Sequence, residues 1–203
     1  ILPASFTLIA GYLIGPGVNL VHASLGGADL TSAVLSDANL ATADLTGAIL
    51  SHANLTHASL EGASLTSVQS GGITGAPTLP AQWELVAGHL IGPGARLTGA
   101  SLKAANLRNA ILQNADLHDA DLSAAQLGGA DLTNARAERT RFDGADLPRT
   151  NLRAAKLSGA SFVGANLQGA NFTRAQMSNA DLTGANLDQA IFLNAQTDGC
   201  KGC

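Results

Sequence analysis

Leucine, replaced at some places in the second stretch by Phe, Met, Ala or Thr, returns at every fifth position over two long stretches of this chain, from Leu20 to Leu65 and again from Leu97 towards Thr197. Two residues before each leucine stands alanine, with Val18, Val68, Thr140 and Thr150 as the exceptions. The residue between them is polar in most units, apart from Val34, Ile49, Ile111 and Ile191, so the unit reads Ala28-Asp29-Leu30, Ala38-Asn39-Leu40, Ala43-Asp44-Leu45. The first stretch holds 10 such units and the second 21. An α-helix gathers positions three and four apart, so a strict five-step pattern would spiral around its surface. A strand repeats every two residues. Period five suits neither. It suits a coil with flat sides, in which each pentapeptide forms one side and one corner. The leucine and the alanine two before it share a face, as on a strand, and point inward. The two positions after leucine are rich in Ser, Thr, Gly, His, Asn, Asp and Arg, which tolerate turns, and they form the corner.

The stretches are opened by related segments. Between residues 2–20 and residues 79–97, 12 of 19 positions are identical. Each segment predicts two short strands, residues 6–9 and 12–14 in the first copy, joined at Ala10-Gly11 as a hairpin. Gly15-Pro16-Gly17 and Gly92-Pro93-Gly94 then turn the chain into the repeat. The organisation expected is a leader hairpin at 1–17, a first repeat block at 18–68, a linker with a second leader at 69–94, a second block at 95–197 and a Cys-x-x-Cys tail at 198–203. Leu2, Pro3, Phe6 and Trp83 are the candidates for covering an end of a coil stack.

With its A-(D/N)-L-x-x unit over 154 of 203 residues, the chain resembles the pentapeptide repeat family. The resemblance implies an all-β fold, a right-handed quadrilateral β-helix with four pentapeptides per coil, here as two tandem modules each opened by a hairpin-like leader. Residues twenty apart would then stack about 4.8 Å apart. Inner ladders follow, such as Leu102, Leu122, Phe142, Phe162, Leu182 and Leu112, Leu132, Leu152, Phe172, Phe192. His57 would lie one coil above Asp37, Arg136 between Asp116 and Lys156, and Arg141 above Asp121.

Composition agrees with a narrow core. The chain is 46% hydrophobic but only 3% aromatic, so small aliphatic side chains do the packing. Net charge is −4, and all eleven basic residues lie from Arg96 onward. That leaves no basic stripe for nucleic acid and no polybasic membrane anchor. No apolar run reaches the length of a membrane-spanning helix. The start at Ile1 reads as removal of a secretory signal or as truncation, which predicts an extracellular or periplasmic protein in the first case and a cytoplasmic one in the second.

No catalytic, cofactor or metal motif stands out, so a non-enzymatic role is expected. One region departs from the repeat: Ala137 replaces leucine, and Arg136, Arg139 and Arg141 crowd together near Lys156, a candidate interaction patch. Cys200 and Cys203 are a candidate disulfide. Two functions follow. The first is a structural or protein-binding solenoid whose copies join head to tail into filaments, so that its partner is itself or another protein. The second comes from the resemblance alone: some pentapeptide repeat proteins bind DNA gyrase by imitating DNA. That mechanism needs a dense acidic surface, whereas the outward repeat positions here carry 13 acids against 10 bases.

Overall fold

A computed structural model describes residues 3–203, so Leu2 lies outside the described residues. The chain forms two compact units, Ile1–Leu90 and Ile91–Cys203. Each is a right-handed quadrilateral β-helix. Parallel bridges join residues twenty apart, from Asn19↔Asn39 in the first unit and from Arg96↔Asp116 in the second. Every side of the coil contributes two backbone bonds to the next one. Leu25 N–H donates to the Asp44 carbonyl at 2.8 Å, and Asp44 N–H donates to the Ala23 carbonyl at 2.9 Å.

The corners explain the polar positions. The amide three residues after each leucine donates back to the leucine carbonyl, as Ala130 does to Leu127 at 2.9 Å. The second corner residue takes positive φ, 59° at Asp37 and 59° at Asn109, as a type II turn requires. Glycine, Asn and Asp enter that region most easily, which is why those types recur there.

Leucine and alanine fill the interior, and nearly all are fully buried. Each buried leucine contributes roughly 1.5–3 kcal/mol before chain entropy is subtracted. In the second unit the phenylalanine ladders form as the spacing implies. Phe142 stacks on Phe162 at 4.7 Å and Phe172 on Phe192 at 4.9 Å, while Phe162 meets Phe172 edge to face at 5.9 Å across the interior. Thr140 and Thr150, in alanine slots, stay buried because their hydroxyls donate to the Leu117 and Leu127 carbonyls.

Both leaders are hairpins. β1 (Thr7–Ile9) pairs antiparallel with β2 (Tyr12–Ile14), with Leu8 opposite Leu13. β3 (Glu84–Val86) pairs with β4 (His89–Ile91). Ala10-Gly11 and Ala87-Gly88 all have positive φ, the type I′ geometry that suits strand twist. The first expected strand begins at Thr7, because Phe6 is used in a tight turn in which its N–H donates to the Pro3 carbonyl.

Two expected boundaries shift. The first coil stack continues past Val68, with Asn54↔Thr74 and Ser59↔Thr78 still bridged. Ser70 and Gly75 occupy leucine slots there, so the coil persists while its apolar signature fades. Likewise Asp181↔Lys201 extends the second stack into the expected tail, with Cys200 in an alanine slot and Gly202 in a leucine slot.

Candidate interaction surfaces

The walls and corners around Arg136, Arg139 and Arg141 in the second unit carry stacked opposite charges rather than a bare basic patch. Arg139 grips both carboxylate oxygens of Asp119 at 2.8 Å, one coil below. Its hydrogen bond holds the Asp119 carboxyl below the ordinary carboxylate range and raises the Arg139 guanidinium. The same guanidinium contacts His118 Nε2. Arg136 lies 3.7 Å from Asp116, and Arg141 lies 3.6 Å from both Asp121 and Asp143. Lys156 bridges Arg136 through backbone only, and it forms no ion pair among the described residues. These pairs are exposed, so each adds little to stability, and they neutralise much of what the sequence presents as a cationic cluster.

One ion pair skips a coil. Arg108 reaches Asp146 at 3.0 Å, bonding Gln126 on the way. Its path runs over Gly128, where a Cβ would come within 3.2 Å of Arg108 Nη1 and of Pro148. The result is an open notch in the wall, floored by Gly128 and Gly129 and flanked by Asn109, Pro148 and Arg149. In the first unit His57 approaches Asp37 at 3.3 Å, both exposed. Asp29, Asp121 and Asp181 are held below the ordinary range by the hydroxyl and amide of Thr31, Ser123 and Thr183, and Asp44 by the amide and hydroxyl of Thr46. Those carboxylates are corner anchors. Among the described residues no group of His, Cys, Asp and Glu is arranged to hold a metal ion, and no helix is long and apolar enough to cross a membrane.

The first unit is closed by hairpins. Ile14 of the first leader is buried in its core, with Ile9 and Tyr12 packed beside it. The Tyr12 hydroxyl accepts a hydrogen bond from Ser24 N–H at 3.1 Å. Phe6 covers Gly15 so closely that its ring leaves no room for a Cβ there, and Pro3 is exposed. The second leader seats on the same core through fully buried Leu90, with Leu79, Trp83 and Leu85 packed against it. Leu90 N–H donates to Ser70 Oγ at 2.9 Å, His89 Nδ1 donates to the Ser70 carbonyl at 3.1 Å, and Ile73 N–H donates to the Gly88 carbonyl at 3.1 Å. In the second unit Cys200 and Cys203 are joined in a disulfide, and Ile191 and Leu193 are exposed.

The family model for pentapeptide repeats matches residues 17–51, 33–69, 94–125, 120–159 and 155–194, most of the chain. The chain belongs to the pentapeptide repeat family. Members are generally structural or interaction proteins. Among solved pentapeptide repeat structures, it is similar to HetL of the cyanobacterium Nostoc, a protein involved in heterocyst differentiation regulation, at 29% identity over 91% of this chain and 89% of that one, with a TM-score of 0.45. A thylakoid-lumen pentapeptide repeat protein of Arabidopsis thaliana shares 31% identity over 48% of this chain and 64% of its own, TM-score 0.38. QnrB1, a plasmid-mediated fluoroquinolone resistance protein, shares 17% over 92% and 89%, TM-score 0.38. Comparison with curated protein sequences gives no match.

Within this pentapeptide repeat protein, sequence reasoning finds the Arg136 and Arg141 pairs because four pentapeptides per coil, which the family resemblance implies, stack residues twenty apart. It misses Arg108–Asp146, whose separation of 38 residues becomes short only where Gly128 removes the intervening side chain. It also misses Ser70, whose signal is a hydroxyl standing in a leucine slot.

Proposed function

We propose that this protein is a non-catalytic solenoid that binds other proteins, and that its copies stack head to tail. The observation that carries the reading is the second leader seated on the first coil stack. A hairpin docked by two leucines, a tryptophan and a few polar bonds is a working example, inside one chain, of how a leader recognises a coil end. Heterologous contacts of that kind propagate when they do not close on themselves, and the unpaired backbone of a coil edge favours them. The Cys200–Cys203 disulfide supports an oxidising compartment, so we place the protein outside the cytoplasm.

The test is the mass and length of purified particles, followed by light scattering and electron microscopy over a range of concentrations, with and without reductant. Particles that lengthen with concentration are expected. Uniform short particles under every condition would overturn self-assembly and leave a binding module. A gyrase-binding role of the DNA-mimic kind is disfavoured by the paired charges of the second unit, where Asp116, Asp119 and Asp121 each face an arginine. Gyrase supercoiling in the presence of micromolar protein is expected to be unchanged.

A further inference from the structure

Each leader hairpin has two faces, because alternate residues along a strand point to opposite sides. In the first leader one face, Ile9, Tyr12 and Ile14, lies on its own coils. The other face is formed by Leu8 and Leu13, directly opposite each other in the pairing. These two are bare, with 67% and 41% of their surface exposed. The residues at the same places in the second leader are Leu85 and Leu90, and there they close the last coil of the first unit, Leu90 with 0% exposed. A Cβ at Gly11 would have no atom within 4 Å, whereas a Cβ at the equivalent Gly88 would fall 3.0 Å from the Gly72 backbone. The first leader thus holds, unoccupied, the surface that the second leader uses.

The receiving end is duplicated too. The first block finishes Leu65…Gln69-Ser70-Gly71-Gly72…Gly75, and the second finishes Phe192…Gln196-Thr197-Asp198-Gly199…Gly202. In both, a hydroxyl residue and then a glycine stand in consecutive leucine slots. In the first block that hydroxyl, Ser70, takes the N–H of Leu90. Thr197 carries the same kind of group, a hydroxyl, in the equivalent slot, and it is exposed. The last coil also carries Ile191 and Leu193 exposed, and Leu187 and Phe192 half-buried. Four of the six exposed large apolar side chains among the described residues therefore lie at these two places. Residues 3–17 carry no charge, so nothing on the hairpin repels Asp188 or Asp198 of the coil.

We propose that the Leu8–Leu13 face of the first hairpin docks on the last coil, around Phe192 and Thr197, of a second copy of this chain. The inference rests on the interaction role proposed above and names the two surfaces that meet.

The test compares the full chain with a hairpin variant, Leu8→Asp with Leu13→Asp, a coil variant, Leu193→Asp with Thr197→Val, and a wall control, Val163→Asp. Mass is read by sedimentation across concentration, and far-UV circular dichroism and melting check that each is folded, as expected for exposed sites. The wild type and the wall control should grow with concentration. The hairpin and coil variants should each stay single, with association weakened roughly tenfold or more. An equal mixture of the two should form pairs and stop there, because it retains one good hairpin face and one good coil end. A hairpin variant that grows like wild type overturns this face while leaving self-assembly intact. A hairpin variant that still forms pairs, a mixture that does not pair, or a wall control that fails to grow overturns it equally. A wild type that stays single at every concentration overturns both proposals.

Discussion

The two leader hairpins are close copies in sequence and opposites in environment. The second presents its leucine face to a coil stack and buries Leu90 completely, while the first leaves Leu13 41% exposed. The substitutions between them follow the surroundings. His89, half-buried beside the Ser70 carbonyl, is replaced by Tyr12, whose hydroxyl turns to Ser24 of its own coils. Glu84 is replaced by Thr7. A hairpin of this kind is an adaptor whose worth to stability is set by what covers its outer face, since a two-stranded hairpin alone is marginal in water.

The sharpest way to break the comparison is to truncate the paired leucines. Leu90→Ala should destabilise the first unit by about 2–5 kcal/mol, the range for an enclosed leucine. Leu13→Ala, measured in dilute protein, should fall within about 0.5 kcal/mol, as exposed sites do. Denaturant titration checks both, and equal losses would mean that the two faces are equally covered. Next in size is Ser70→Ala, which strands the buried N–H of Leu90 and should cost about 1–3 kcal/mol. Faster hydrogen exchange at the Leu90 amide would accompany it, and unchanged exchange would count against that bond as the seat of the leader.

The turn glycines sharpen the comparison further. Gly11 and Gly88 have φ of 83° and 76°, so alanine is strained at either one by about 1 kcal/mol. At Gly88 the new Cβ must also push against Gly72 and Ile73, and at Gly11 it meets nothing. Gly88→Ala should therefore lower the melting temperature more than Gly11→Ala. The reverse order would remove the close approach between this turn and the coil.

The smallest effect is the pH dependence that Glu84 gives the second leader. Burial raises the Glu84 carboxyl above its ordinary value of 4.5, and one of its oxygens is buried without a partner. The folded state then holds this proton more tightly than the unfolded chain. Its stabilising contribution is present below pH 4.5 and is lost as pH rises through the raised value. Glu84→Gln should raise the melting temperature by about a degree or two at pH 7 and leave it unchanged at pH 3.5. A lower melting temperature at pH 7 would show that the carboxylate has a partner in solution.

Much of the fold is legible because the five-residue period is long and strict. The inward slots follow from counting by fives, and the phenylalanine ladders and the Arg136–Asp116 and Arg141–Asp121 pairs from the four-unit coil that the family resemblance implies. The pattern fails where a slot keeps its place and loses its residue type. Ser70 and Gly75 continue the first coil without a leucine, and Cys200 and Gly202 continue the second, so the apolar period stops before the coil does. Arg139 escapes notice as half of a bidentate pair because its corner position, at φ 55°, looks like one more turn residue. Candidate surfaces are harder still, since Leu8 and Leu85 are the same letter in the same context.

By itself the sequence determined the kind of architecture: an alanine and a leucine every five residues are buried together on the inner face of a flat-sided coil, the resemblance to the pentapeptide repeat family implies four sides, and the corners fall where polar residues already stand. Only the tertiary structure decided which leader face is covered, that Ser70 receives Leu90, and that Arg108 passes over Gly128 to Asp146. Those outcomes depend on contacts between segments tens of residues apart, and a local repeat carries no record of which of its identical faces has found a neighbour.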